Sequence, residues 1–239
     1  FTPLERALMR RLATWVYLRD APTAELLRAR GIAHASALGN PMLDALGGEP
    51  LASGPDLRVA LLPGSRTYAA AALERMLAAL ARVPEASGYV AWAGGALPFV
   101  AGWTLEEAEA RDGSSARYRR GAQTAFVYGG RFADVLHTAQ LVLGTAGTAH
   151  EQAAALGRPV VAFALPPYYR SAFLHNQKRL LGAALTLAPD YPKAVAAALR
   201  ALWRDPARYA AAAASGLERM GPPGGSRAIA ADLLARARL

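Results

Sequence analysis

The sequence predicts an α/β fold built on a doubly wound parallel sheet, and three observations carry that reading. Short runs rich in Val, Leu and Ala alternate with longer stretches of helical spacing, the pattern of successive βα units. Two of the expected strands end in small-residue loops that lead directly into helices, the place where a parallel sheet collects ligands. A stretch dense in Gly, Pro and Ser, Gly47–Asp56, separates a short opening part from about six such units.

In the opening part, strands are expected at Trp15–Leu18 and Ala35–Leu38, with a helix at Thr23–Arg30 between them. This is too little to bury a core alone. Ahead of it, Arg6, Arg10 and Arg11 recur at helical spacing beside Leu4, Leu8, Met9 and Leu12. One short helix would then present basic and apolar groups together, suited to an anionic membrane surface or to packing against a further domain. The chain opens on Phe1 in what reads as the middle of a fold, so a fragment is expected. The domain boundary falls in the linker, giving residues 1–48 as the end of one domain and residues 49–239 as a second, complete one.

Within the second domain, strands are expected at Arg58–Leu62, Tyr89–Ala93, Ala125–Tyr128, Leu141–Leu143, Val160–Ala164 and Leu185–Leu187. Helices are expected at Ala69–Arg82, Phe132–Thr138, Thr148–Leu156 and Ala172–Leu181, followed by Tyr191–Trp203, Pro206–Glu218 and Ser226–Ala237. The Ala-rich run near Tyr209 is compositionally biased but helix-forming.

At 239 residues, 53% hydrophobic and 19% charged, the chain suits a packed core and is not of disordered composition. Its 27 Lys and Arg against 18 Asp and Glu leave a net charge of +9, which favours phosphates, nucleic acid or an anionic surface, and equally fits a basic solvated exterior. With no cysteine, disulfides, thiolate metal sites and a Cys nucleophile are excluded. The longest apolar stretches fall short of the ~20 residues that a membrane-spanning helix needs. A soluble chain is therefore expected, at most attached peripherally.

Two loops could carry chemistry. In the first, Pro63 ends a strand, Gly64 permits a tight approach, and Ser65 and Arg66 offer a hydroxyl and a guanidinium ahead of the next helix. That combination can hold a diphosphate; it also suits an ordinary turn in which Ser65 caps the helix. In the second, Gly144, Thr145, Ala146, Gly147 and Thr148 leave backbone N–H groups unobstructed, and Glu151 follows about one turn into the helix. A carboxylate there can accept ribose hydroxyls while the amides face phosphate, or it can simply favour the helix dipole. Further on, His175, Asn176 and Gln177 open an amphipathic helix, where they either bond a sugar or phosphate or solvate the helix start. His34, His137 and His150 are isolated, so no metal is assigned.

The segments "GNPMLDAL", "ALLPGSR", "GTAGTAHEQAAALGRPVVAF" and "NQKRLLG", in this order and spacing, resemble the lipid-A-disaccharide synthases and, more closely, synthase-related proteins of unassigned activity. The resemblance runs from about Trp15 to Leu187. It implies a GT-B fold with two Rossmann-like halves, of which this chain holds one complete half and a remnant of the other. It implies that Ser65 and Arg66 approach the diphosphate of a nucleotide sugar, Arg66 stabilising the leaving group. The Gly144–Thr148 loop would line phosphate and sugar, Glu151 would take the ribose, and Asn176 and Gln177 would approach the donor sugar. The catalytic base would come from the amino-terminal half. Two departures, His150 before Glu151 and the segment "LPPYYRSAF", bear on which donor and acceptor are used.

The resulting expectation is an inverting, metal-independent glycosyltransferase half that uses a UDP-sugar as donor substrate, needs no cofactor and acts on a lipid or cell-envelope acceptor. It would work in the cytoplasm or on the inner face of the cytoplasmic membrane. The alternatives are a UDP-sugar 2-epimerase, disfavoured by the few acids in the loops, and a non-catalytic sugar-nucleotide sensor. A nucleic-acid partner is not expected, because no recognition helix or aromatic-basic sheet motif is present.

Overall fold

The computed structural model describes residues 1–52, 56–107 and 114–237. The chain forms two compact units, Phe1–Leu46 with Glu218–Leu239, and Gly47–Leu217. The first contains α1 (Pro3–Leu12), β1 (Val16–Leu18), α2 (Ala21–Ala29), β2 (Ala35–Ala37) and α9 (Gly225–Arg236). β1 and β2 pair in parallel, and Leu18, Ala24, Leu27, Ile32 and Ala35 form their core. The carboxyl-terminal helix belongs here because Asp44 accepts hydrogen bonds from the Gly224 and Ser226 amides at its start, and Tyr17 Oη donates to Asp232 Oδ2 at 2.6 Å. The sequence suggests instead that this helix belongs with residues 49–239; side-chain bonds across some two hundred residues carry no local signal.

The second unit is one eight-stranded sheet. Its strands are β3 (Leu57–Leu62), β4 (Ala86–Trp92), β5 (Thr104–Glu107), β6 (Ala116–Arg120), β7 (Gln123–Gly129), β8 (Leu141–Gly144), β9 (Val160–Phe163) and β10 (Leu185–Ala188). The spatial order is β10-β9-β8-β3-β4-β7-β6-β5. Numbering the six parallel strands within the unit gives the order 3-2-1-4-5-6 of a doubly wound Rossmann sheet, with its direction reversing between β3 and β8. Register pairs Leu61 with Val90 on one side and with Leu143 on the other. β3 and β8 are buried almost throughout, as continuous apolar strands covered on both faces should be.

The connecting helices are α3 (Ala69–Leu80), α4 (Phe132–Thr138), α5 (Gly147–Ala155), α6 (Ser171–Leu181) and α7 (Pro192–Trp203), followed by α8 (Pro206–Met220). α3 and α7 pack together. Chain progression on the two sides of the reversal runs in opposite directions, so right-handed crossovers put α3 on one face and α4, α5 and α6 on the other, and α7, which follows the last strand, joins α3.

All six strands expected for this domain are present, but the sheet is not purely parallel. β5 and β6 form an antiparallel extension on β7. Their segments lack an apolar run; in β6, buried Ala116 and Tyr118 alternate with the more exposed Arg117 and Arg119, the period-two pattern of a half-covered antiparallel strand. Of the expected linker, Ser53–Pro55 lies outside the described residues. Its earlier part is bonded to α4, with Glu49 N–H donating to Asp134 Oδ1 and Leu51 N–H to Thr138 Oγ1, both at 2.8 Å.

Where α3 ends and β4 begins, the Gln123 Nε2 group lies 2.8 to 2.9 Å from the carbonyl oxygens of Leu80, Val83 and Ala86. One side chain of β7 therefore gathers three carbonyls of the helix end and turn, two of which, Leu80 O and Val83 O, also accept from the Val83 and Ala86 amides. Replacing Gln123 with Leu is expected to lower unfolding stability by about 0.5–1.5 kcal/mol, the net worth of a lost hydrogen bond, measured by denaturant titration.

Candidate functional site

The reversal between β3 and β8 creates a crevice at their carboxyl ends, and both sequence-predicted loops open into it. Gly64 turns the chain with φ +86°, a conformation open to glycine at little cost. Buried Thr145 ties the two loops together: its N–H donates to Leu62 O at 3.1 Å and its Oγ1 to Pro63 O at 3.2 Å. Tyr68 Oη donates to Thr145 O at 3.2 Å. Over this base lies a cavity of about 540 Å³ within the second unit, reached by Gly64–Arg66, Ala146–Ala149 and Tyr168–Arg170.

Its electrostatics are one-sided. α5 starts at Ala146, which has no side-chain cap, and the first backbone bond of the helix runs from His150 N–H to Ala146 O. Among the described residues the amides of Gly147, Thr148 and Ala149 have no protein acceptor, so the positive end of the helix faces the cavity. Arg66 and Arg170 also line it, and neither guanidinium makes an ion pair among the described residues. Among the described residues no carboxylate lines the wall. A ligand here meets two cations and a row of N–H donors, a combination whose chemistry suits a phosphate or diphosphate.

The remaining wall is aromatic. Tyr68 and Tyr168 stack with ring centroids 5.7 Å apart, and Tyr169 meets Phe173 edge-on at 5.4 Å. Burial raises the phenol pKa of Tyr68 and Tyr169, so both hydroxyls stay neutral donors. Such surfaces suit a planar ring or the apolar face of a sugar beside the anion.

Behind the loop sits His150, fully buried. Its Nε2 accepts from Ala146 N–H at 3.4 Å, and its Nδ1 lies 2.9 Å from Gln177 Oε1. The two bonds together require the proton on Nδ1. Tyr169 Oη donates to the same Gln177 Oε1 at 3.1 Å, while Gln177 Nε2 is buried without a partner, a liability of about 1–3 kcal/mol. Two glycines make room. A Cβ on Gly144 would overlap His150 Nε2, and one on Gly147 would come within 2.8 Å of Phe173 Cζ and 3.0 Å of Gln177 Nε2.

Of the residues expected at the site, the structure brings Gly64, Ser65, Arg66, Ala146, Gly147 and Thr148 together on the cavity wall. Gly144 ends β8, and Thr145 is buried beneath the loop. Glu151 is half-buried on α5 and Asn176 exposed on α6, both off the wall, where Gln152 stands instead. Gln177 lies behind the lining, bonded to His150. His175 is also off this wall, its Nδ1 2.7 Å from Ser171 O. Sequence reasoning missed Tyr68, Tyr168, Phe173 and Arg170. A signal for the last was present, since "YYR" precedes a helix start much as "GSR" does. Among the described residues no three His, Cys, Asp or Glu side chains gather as a metal site would require.

No family model matches the chain, and no curated protein does. Solved structures do. The chain is similar to Staphylococcus aureus MnaA in complex with UDP (TM-score 0.62, 14% identity, 99% of this chain and 64% of that one). It is similar to the UDP-GlcNAc 2-epimerase of Neisseria meningitidis bound to UDP-GlcNAc (0.56, 13%, 97% and 64%). It is also similar to the calicheamicin glycosyltransferase CalG4 (0.56, 17%, 98% and 54%). The likeness establishes the fold, α/β of the GT-B type, and the chain spans less than two thirds of each of these proteins.

Burial draws the His150 pKa from 6.5 down to about 4. Between those values the unfolded chain binds the proton and the folded one does not, so stability from this group is complete above 6.5 and is lost as pH falls toward 4. The loss is expected to reach roughly 3 kcal/mol at most. Denaturant titrations across this range, on the protein and on His150→Leu, check it: the variant lacks this component but keeps the loss arising from carboxylates.

Proposed function

We propose that this chain carries the nucleotide-sugar site of a glycosyltransferase that uses a UDP-sugar donor. The observation that carries the reading is the meeting of unanswered α5 amides with Arg66 and Arg170 in one cavity at the sheet reversal. A UDP-sugar supplies what such a wall selects: a diphosphate between a planar base and a sugar. The similar structures solved with UDP and with UDP-GlcNAc point the same way.

In the proposed reaction an acceptor hydroxyl, deprotonated by a base, attacks the anomeric carbon as the bond to the diphosphate breaks. The departing UDP gains negative charge, and the α5 amides, Arg66 and Arg170 meet that charge with fixed dipoles and cations. Glu151 would bond the ribose hydroxyls and Asn176 the donor sugar, as the resemblance to lipid-A-disaccharide synthases implies; a lipid or cell-envelope acceptor follows from the same resemblance. Epimerisation at C2 is the second reading, favoured by the similarity to the Neisseria enzyme.

Calorimetry with UDP is expected to show binding that weakens with salt. Arg66→Ala and Arg170→Ala should each cost about 1.5–3 kcal/mol, and so should Glu151→Ala if it holds the ribose, with melting temperature little changed. No UDP binding by the protein overturns the nucleotide reading. Incubation with UDP-GlcNAc separates the two reactions: free UDP formed only with an acceptor marks transfer, and a 2-epimer formed without one marks epimerisation.

A membrane-bound acceptor would have to be reached from the surface. Among the described residues no helix is long and apolar enough to cross a membrane. α1 exposes Leu4, Leu8 and Leu12 at 69%, 48% and 76%, on the helix that carries Arg6 and Arg11. Peripheral contact through it should be weak, near 1 kcal/mol per basic residue. Flotation with anionic vesicles is expected at low salt and lost at high salt or on replacing Arg6 and Arg11; binding indifferent to both changes rules α1 out.

A further inference from the structure

His150 is the feature that the nucleotide reading does not by itself explain. A residue needed only to fill the space behind the loop would be apolar, because burying an imidazole carries a desolvation cost that a Leu does not. Instead His150 spends both ring nitrogens. Nε2 takes the amide of Ala146, the residue immediately before α5, and Nδ1 donates to Gln177 Oε1 on α6. The same oxygen receives the hydroxyl of Tyr169, which stands in the strap between β9 and α6 together with Tyr168 and Arg170. Three segments of the cavity wall thus share one buried acceptor.

We propose that His150 is a positioning residue: through Gln177 it locks the amide loop of α5 to the Tyr168–Arg170 strap, so that the amides and Arg170 are held as one preformed surface for the diphosphate. This rests on the nucleotide-sugar reading of the cavity. The geometry explains why two glycines are placed as they are. Gly144 admits the imidazole against β8, and Gly147 lets the Gln177 amide and the Phe173 ring close up beneath the loop. It also explains why Gln177, although polar, turns away from the cavity: its oxygen is committed to the lock. A preformed site loses less entropy on binding than one that its ligand must order.

Tyr169→Phe tests the lock while removing one hydroxyl and leaving the ring in the wall. Amide hydrogen exchange is read on the unliganded protein, and UDP affinity is measured in parallel. If the lock operates, the substitution speeds exchange at the bonded amides of Ala146 and His150, on the other loop, by about threefold to tenfold, the ratio that one net hydrogen bond controls. UDP binding then weakens by a similar factor. In a His150→Leu background the hydroxyl has nothing left to couple, so Tyr169→Phe should change neither quantity further. His150→Asn, which can keep the donor to Gln177, should recover part of the coupling. Exchange that rises only within the strap, or effects that add in the double variant, overturns the proposal whether or not UDP binds. Coupled exchange in a protein that binds no UDP instead overturns the nucleotide reading, and leaves the network a purely structural one.

Discussion

Everything at the cavity depends on how closely α5 approaches β8 and α6. The approach is possible because positions 144 and 147 carry no Cβ, so that His150, Phe173 and Gln177 fill the space behind the loop. Were the helix start set further out, the unsatisfied amides of Gly147, Thr148 and Ala149 would meet bulk water and lose the low-dielectric setting in which N–H donors act strongly on charge. The absence of a capping side chain at Ala146 costs the helix about 0.5–2 kcal/mol relative to a Ser, Thr, Asn or Asp cap. That sacrifice is intelligible where an anion completes the cap.

The loops and the parallel strands that carry them are largely legible in the sequence. Parallel strands buried on both faces write continuous apolar runs, so Leu57–Leu62, Leu141–Gly144 and Val160–Phe163 declare themselves. Small residues followed by a helix mark the crevice. What escaped was held by alternation or by distance. β6 buries Ala116 and Tyr118 while turning its arginines outward, a pattern easily taken for a polar loop. α9 is joined to its unit by bonds from Asp44 and Tyr17, and nothing near residue 225 announces them.

The same contrast holds within the site. Gly64, Ser65 and Arg66 could be placed because loop composition and helix start coincide in one short stretch. The aromatic wall could not, since Tyr68, Tyr168 and Phe173 come from three segments and meet only after the sheet forms. Gln177 shows the limit most clearly. The sequence reads it as opening a helix, where a polar side chain suits a ligand contact, yet α6 begins six residues earlier at Ser171 and the direction of Gln177 is decided by His150, twenty-seven residues before it.

The hairpin of β5 and β6 has a consequence beyond sheet geometry. Without it β7 would be an open border, offering Ala125 and Val127 and a row of unpaired backbone groups to any passing strand. With it the border moves out to β5, a strand of four residues bearing Glu106 and Glu107, with Arg117 of β6 paired to Glu106 at 2.8 Å. Short length and acidic side chains make a poor template for a further strand. In effect the hairpin is a guard rail: it ends the sheet in a form that discourages edge-to-edge aggregation.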